Sequence, residues 1–272
     1  VKAKAAICVR RTDLQLSRAS ALTAGFKRHG IEAEIYWMEQ SPPAPKDADF
    51  CVCWGKRNLD TLKSRGAGDV LVMEQGYMLE RIEWTSLGWN GLNGRAAFGS
   101  GDASRWRKYF AHLMQDWKPE GAGGYVLVAG QVKGDASLGN VDFDEWVRET
   151  MAYLGGPADG SVVFRPHPLV DEPAKSLEDD LFDAKLAVTY SSNLGVDAVL
   201  SGTPTIVMDE GGMAWPVAGH DTNEVIRPSR NKWAQALAWT QWKLSEIESG
   251  AAWDVVRQAR NGPAFFESFG EE

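Results

Sequence analysis

Strand-length apolar runs alternate with helix-period segments along this chain, and the alternation begins twice. "AAICV" (residues 5–9), "IEAEIYW" (31–37), "DFCVCW" (49–54) and "DVLVME" (69–74) read as strands. Between them lie a helix-period stretch from Leu14 to His29 stopped by Gly30, a Pro-rich turn at 41–45, and a helix around 58–65 stopped by Gly66. This β-α-β rhythm predicts a parallel sheet with helices over its faces. Residues 76–101 break the rhythm, being rich in Gly and aromatics without a clean period. They predict a long irregular loop, of the kind that carries function. A polar helix with Trp106, Phe110 and Leu113 follows, and then the Pro/Gly cluster "KPEGAGG" (118–124) marks a domain boundary.

The rhythm restarts with "YVLVAGQ" (125–131), a helix over 143–154, and the strands "SVVFRPHP" (161–168) and "LAVTY" (186–190). A helix over 194–201 and the strand "TPTIVMD" (203–209) continue it. A helix over 231–247, with Trp233, Leu237, Trp242 and Leu244 at helical spacing, and another near 251–260 complete the pattern. The fold class this predicts is α/β, with two Rossmann-like parallel-sheet domains facing a central cleft. The expected division is an N-terminal domain over 1–121, a second over 122–250, and a C-terminal helix in 251–272 packing back on the first. A length of 272 residues suits two domains.

Composition excludes several classes. No apolar run approaches the ~20 residues a bilayer crossing needs, and "VKAKAAICV" at 1–9 reads as a buried strand rather than a secretory signal. The expected location is the cytoplasm. Cys51 and Cys53 alternate on one strand face, and with Cys8 they read as buried thiols of a reducing compartment. His29, His112, His167 and His220 are scattered, without HExxH or CxxC spacing, so neither a metal nor a tightly bound cofactor is expected. There is no G-x-G-x-x-G after a first strand, no Walker A sequence and no G-x-S-x-G, which argues against nicotinamide enzymes, P-loop enzymes and α/β-hydrolases.

The net charge of −8 is unevenly spread. Residues 1–121 carry 18 Lys and Arg against 14 Asp and Glu, whereas residues 122–272 carry 11 against 23. The basic clusters Arg10-Arg11, Lys27-Arg28, Lys56-Arg57 and Arg105/Arg107-Lys108 all lie in the first half. They read as solvated surface or as a face for an anionic acceptor.

The motif with most chemistry is "TYSSNLGVDAVLSGTPTIVMDEG", residues 189–211. In an open parallel sheet, ligands sit beyond the carboxyl ends of strands, where helix N-termini point free N–H groups. Ser191 and Ser192 close a strand and open a helix, so they offer hydroxyls to an oxyanion such as a diphosphate; Asn193 follows them. Asp197, farther along the helix, is placed to accept from ribose hydroxyls. About 25 residues earlier, "FRPHP" sets Arg165 and His167 two apart at a strand end, on the same expected side. The Gly-rich "GQVKGDASL" (130–138) follows a strand, and its Gln131 and Lys133 can reach a phosphate or sugar.

"RPHP" followed by "SSNLGVDAVLSGTPTIV" resembles the C-terminal nucleotide-sugar-binding half of GT-B glycosyltransferases. The likeness is closest to capsule-polysaccharide transferases and to phage enzymes that glycosylate modified DNA bases. "EQGYMLERIEWTSLGWNGLNG" (74–94) and "GQVKGDASL" are similar to the phage group, and the resemblance spans about residues 5–245. It implies that Arg165, His167 and the Ser191–Ser192 helix start hold a donor diphosphate and that Asp197 holds the ribose. The implied co-substrate is a nucleotide sugar, a UDP-sugar by preference, and the implied acceptor is a 5-hydroxymethyl pyrimidine in DNA, in the host cytoplasm if the chain is phage-encoded. A capsule or cell-wall sugar transferase, a sugar-nucleotide 2-epimerase and a non-catalytic nucleotide- or glycan-binding module are the alternatives.

Transfer to a hydroxyl needs a base, or an ion-pair route, and stabilisation of the leaving diphosphate. Glu74, at the end of "DVLVME", is the first base candidate, with Asp102 and Asp13 next. No metal is assigned to the donor. Arg10, Arg11, Tyr77, Arg81 and Trp89 are the acceptor-side candidates. Tyr77, Trp84, Trp89 and Phe98 read either as a stacking surface for an extruded base or sugar, or as an apolar cluster beneath a loop. Trp215 and His220, in "GGMAWPVAGHD" (211–221), are candidates to cover the nucleobase or sugar.

Overall fold

The structure is a computed structural model that describes residues 2–40, 47–156, 158 and 160–269. The Pro-rich turn expected at 41–45 lies outside the described residues. The chain forms two compact units, one of Val1–Trp106 with Ala234–Glu272 and one of Arg107–Trp233. Each is built on its own Rossmann-like sheet. Among the described residues no helix is long and apolar enough to cross a membrane.

The first unit holds strands β1 (Lys4–Val9), β2 (Glu32–Trp37), β3 (Phe50–Trp54), β4 (Val70–Gln75) and β5 (Trp84–Trp89). Its helices include α1 (Asp13–Arg28) and α2 (Gly55–Ser64). α1 starts where the Thr12 hydroxyl accepts the Gln15 N–H, and Asp13 in its first turn and Lys27 and Arg28 in its last complement the helix dipole. β1, β2, β3 and β4 run parallel, whereas β5 pairs antiparallel with β4.

Both sheet faces are covered, as burial of a parallel sheet requires. Ile7, Val9, Val52, Leu71 and Met73 pack with Phe26 of α1 on one face. Cys8, Cys51, Cys53, Val70 and Val72 pack with Leu59 and Leu62 of α2 on the other. The three cysteines are buried free thiols, with Cys51 and Cys53 on one face as the alternation predicts. Burial, with the charges of Cys51, Asp60 and Glu74 beside it, pushes the Cys53 thiol far up.

α3 (Ser104–Tyr109) follows, and the second unit then contributes β6 (Tyr125–Ala129), α4 (Phe143–Tyr153), β7 (Val162–Arg165) and α5 (Leu177–Asp183). β8 (Ala184–Thr189), α6 (Leu194–Leu200) and β9 (Thr205–Val207) complete its sheet, in the all-parallel order β7-β6-β8-β9. Trp146 and Met151 of α4 cover one face over Val126, Val128 and Val188. α5 and α6 cover the other through Leu181 and Ala198 against Leu127 and Ala187. Gly202, at φ 78°, is fixed by more than its turn: a Cβ there would stand 1.9 Å from the Asp116 carbonyl oxygen.

The chain then forms α7 (Asn231–Ala238), β10 (Gln241–Lys243), α8 (Leu244–Glu248) and α9 (Ala251–Val256). β10 pairs antiparallel with β5, so the first sheet reads β10-β5-β4-β3-β1-β2. α8 approaches α1 backbone to backbone, since a Cβ at Gly25 would lie 2.2 Å from the Ile247 carbonyl oxygen.

Two sequence expectations fail here. The segment 76–101 is not wholly irregular, because it contains β5, whose six residues are all buried. With Thr85 and Ser86 as buried as Trp84 and Leu87, no alternation is left to read. The helix expected over 231–247 is broken by β10, whose Gln241 and Trp242 are both buried. Trp242 fits a helical stripe and a strand equally well, and only sheet pairing decides between them.

Candidate functional site

In the order β7-β6-β8-β9 the connections reverse direction between β6 and β8, and a doubly wound sheet opens a crevice beyond the carboxyl ends of such strands. Gln131 follows β6 and Ser191 follows β8. Across the crevice the Ser191 amide donates to Gln131 Oε1 at 2.9 Å, and Gln131 Nε2 donates to Ser191 Oγ at 3.2 Å. Two residues sixty apart, selected separately from the sequence, are therefore locked to each other. Next to them Thr189 Oγ1 accepts the Ser192 amide at 2.8 Å, and Ser192 Oγ accepts the Leu194 amide at 3.2 Å. Both serine hydroxyls act as acceptors in these bonds, which leaves their O–H groups as donors to an oxyanion.

The neighbouring strand ends close on this point. The Gly130 amide donates to the Arg165 carbonyl at 2.7 Å. A Cβ on Gly130 would lie 2.8 Å from that oxygen and 2.9 Å from the His167 amide nitrogen, so the two loops touch only because residue 130 has no side chain. The Leu169 amide donates to His167 Nδ1 at 3.2 Å, which sets the neutral ring's proton on Nε2 as a second donor type. On the far side, a Cβ on Gly212 would stand 2.5 Å from Val207 Cγ1 and 3.5 Å from Ser191 Cα. Gly212 and Gly130 thus shape the crevice; the Gly-Gly pair after the last strand was the signal for the former. The Trp233 indole, fully buried, donates to the Met213 carbonyl at 2.8 Å and fixes that last loop.

The remaining donor-side candidates fare differently. Arg165 faces α5. It is buried, and its Nη1 donates to the Asp180 carboxylate and, at 2.9 Å, to the Lys175 carbonyl. Asp180 also accepts the Tyr125 hydroxyl at 3.0 Å, and burial followed by that bond drives the Tyr125 phenol upward. The guanidinium is consumed in tying α5 to β7 because strand alternation turns it toward the face that α5 covers. Lys133 is exposed and ion-paired with Asp144, which raises its pKa. Asn193 and Asp197 are half-buried, at the start and within α6. Trp215 and His220 stack with ring centroids 3.4 Å apart, and His220 Nε2 lies 3.0 Å from the Trp215 carbonyl oxygen.

The first unit has its own reversal, between β1 and β3. Arg10 and Arg11 leave β1 exposed; the Arg11 guanidinium sits 4.8 Å over the Trp37 ring, and its amide donates to Glu39 Oε1 at 3.0 Å. Glu39's own amide and that of Arg11 hold its carboxyl below the usual range. Glu74 emerges half-buried from β4. Its Oε1 accepts the Gln75 amide at 3.0 Å, and its Oε2 is 3.4 Å from where a Cβ on Gly55 would stand. The carboxylate therefore lies against the β3–α2 junction, beside the crevice of this sheet.

Asp102 is engaged otherwise: its Oδ1 accepts the Ser104 amide at 2.8 Å, the bond of a residue opening α3. Asp13 is exposed in the first turn of α1. Tyr77 and Trp89 are core residues, 4% and 1% exposed, so neither offers a ring face to an acceptor. Trp89 Nε1 donates to the Val256 carbonyl at 2.7 Å, and the Tyr77 hydroxyl lies 3.2 Å from Asn93 Oδ1, with burial raising its pKa. Trp84 is buried with them, whereas Phe98 is half-buried. Arg81 is half-buried in the turn before β5.

No family model and no curated protein matches the chain. Among solved structures it is similar to the β-Kdo 2,7 transferase of Thermosulfurimonas dismutans KpsC, with a TM-score of 0.57 at 13% identity, covering 90% of this chain and 98% of that one. The β-Kdo 2,4 transferase of the same KpsC gives a TM-score of 0.52 at 14% identity, over 84% and 89% of the two chains. At these identities the likeness is one of fold: two Rossmann-like α/β domains of the GT-B type.

Proposed function

We propose that this chain is a glycosyltransferase that takes a sugar from a nucleotide-sugar donor, a UDP-sugar by preference, to a hydroxyl acceptor. The observation that carries the reading is the bond pair between Gln131 and Ser191 at the reversal of the second sheet. It presents hydroxyl donors where the loops after β6 and β7 touch at a glycine and the loop after β9 adds Gly212. Ser191, Ser192 and His167 Nε2 then receive the negative charge that develops on the leaving diphosphate. Asp197 holds the ribose. Arg165 acts one layer behind, as a brace. Glu74 is the base that takes the acceptor proton, and Arg10 and Arg11 flank an anionic acceptor.

For the acceptor, a 5-hydroxymethyl pyrimidine in DNA is the reading that the sequence resemblance and the basic clusters support. The burial of Tyr77 and Trp89 favours the second reading, a capsule or cell-wall glycan, because it removes the rings meant to stack an extruded base. The test incubates the protein with UDP-, GDP- and CMP-sugars and with two acceptors, hydroxymethylated DNA and an anionic oligosaccharide, and reads product masses. A mass gain on either acceptor fits the transferase reading and selects between the two. Donor isomerisation without any acceptor dependence would favour an epimerase, and binding without turnover a non-catalytic module.

A further inference from the structure

Gln241 lies 0% exposed in β10, far in sequence from the loop that leaves Glu74, yet its side chain holds that loop. The Tyr77 amide donates to Gln241 Oε1 at 2.6 Å and the Met78 amide donates to the same oxygen at 3.1 Å. Gln241 Nε2 donates to the Met78 carbonyl at 3.4 Å. The side chain thus supplies hydrogen-bond partners to the backbone of the turn, and it closes around Gly76. A Cβ there would stand 3.0 Å from Gln241 Oε1 and 2.5 Å from Trp84 Cβ.

Gln241 is itself rigidly placed. Its backbone pairs with Ser86 of β5, and its carbonyl accepts Arg105 Nη2 at 2.7 Å. Arg105 in turn lies 4.3 Å over the Trp242 ring and donates at 2.7 Å to Glu246 Oε2. The loop that these bonds hold is not one the backbone adopts by itself. Leu79, the residue after the clasp, sits at φ 59°, a left-handed conformation that a γ-branched residue takes only when its surroundings impose it. From the clasp the constraint runs back through Gly76 to the Gln75 amide, which donates to Glu74 Oε1 at 3.0 Å.

We infer that Gln241 is a positioning residue for Glu74: its amide clasps the 76–79 turn and thereby aims the Glu74 carboxylate beside the β3–α2 junction. The inference rests on the reading of Glu74 as the base. A carboxamide is required because the site asks one group to accept from two amides and to donate to a carbonyl. Gln241→Met keeps the bulk and removes all three bonds; Gln241→Glu keeps the accepting oxygen.

The experiment measures amide hydrogen exchange at Tyr77 and Met78, UDP affinity, and turnover with the donor–acceptor pair found by the mass assay. In Gln241→Met, exchange at both amides accelerates and kcat falls about 100-fold, as a base displaced by an ångström loses, while donor KM and UDP affinity move less than twofold. Gln241→Glu loses less in both exchange and kcat. A wild-type melting transition, beside unchanged UDP affinity, certifies that both units are folded. Unchanged exchange in Gln241→Met overturns the inference, as does fast exchange with wild-type kcat. Wild-type kcat in Glu74→Gln is the separate outcome that defeats the base reading, and it leaves the exchange result at Tyr77 and Met78 as it was.

Discussion

The two sheets reverse at equivalent places, but their crevices are made by different means. In the second unit the crevice is local, built from strand ends that touch each other. Gln131 and Ser191 bond directly, and Gly130 and Gly212 let the flanking loops approach. In the first unit the crevice is charged, and its candidate base lies near the end of β4, ahead of a turn braced by a residue from a strand added much later in the chain. A site that binds a fixed diphosphate can be made from short turns and hydroxyls. One that must aim a single carboxylate needs a stiffer mount, which β5 and β10 supply by extending the parallel sheet.

In the first unit the carboxylate itself carries the greatest loss. Glu74→Gln lowers kcat by about 100- to 10,000-fold, the usual worth of a general base, with donor KM nearly unchanged. Initial rates at saturating donor check it, and a change confined to donor KM would make Glu74 a donor-binding group rather than the base. Next is the glycine contact of the second unit. Gly130→Val drives a side chain into the Arg165 carbonyl and the His167 amide, so UDP affinity falls by about 30-fold or more, the equivalent of roughly 2 kcal/mol of overpacking strain. Calorimetric titration with UDP reads this, and an unaltered affinity would mean the loops after β6 and β7 do not meet there.

Gln131→Leu, which removes the clasp on Ser191, weakens UDP by about tenfold, the value of one or two polar bonds. Arg165→Met has the smallest effect on binding and the largest on stability. It strands Asp180 in a buried position, at about 3–5 kcal/mol, while UDP affinity of the folded protein shifts less than twofold. Denaturant titration beside calorimetry separates the two. A tenfold loss of affinity at undiminished stability would return Arg165 to the diphosphate.

The same contrast explains how much was legible in the sequence. The second unit reads well because its candidate residues fall within a few positions of strand ends, and strand ends are marked by Gly, Pro and Ser. Ser191, Ser192, His167 and Gln131 could all be named in that way. Arg165 could not be placed, since two residues apart share a side only while the strand lasts, and β7 ends at Arg165. The first unit reads less well. β5 is buried at every position, so its period vanishes, and β10 is three residues long inside a helical stripe of Trp and Leu. Their pairing, and with it the Gln241 clasp, depends on contacts more than 140 residues apart in sequence. Tyr77 and Trp89 were legible as aromatics in a Gly-rich stretch, with an apolar cluster as one of two readings, and the choice between them follows from β5.

Whether the crevice between β6 and β8 binds the donor diphosphate is decided by a crystal structure with UDP. Diphosphate oxygens are expected within hydrogen-bond distance of Ser191 Oγ, Ser192 Oγ and His167 Nε2, with the ribose at Asp197 and no contact from Arg165. Diphosphate density anywhere else, with Ser191 and Gln131 bonded only to each other, would contradict it.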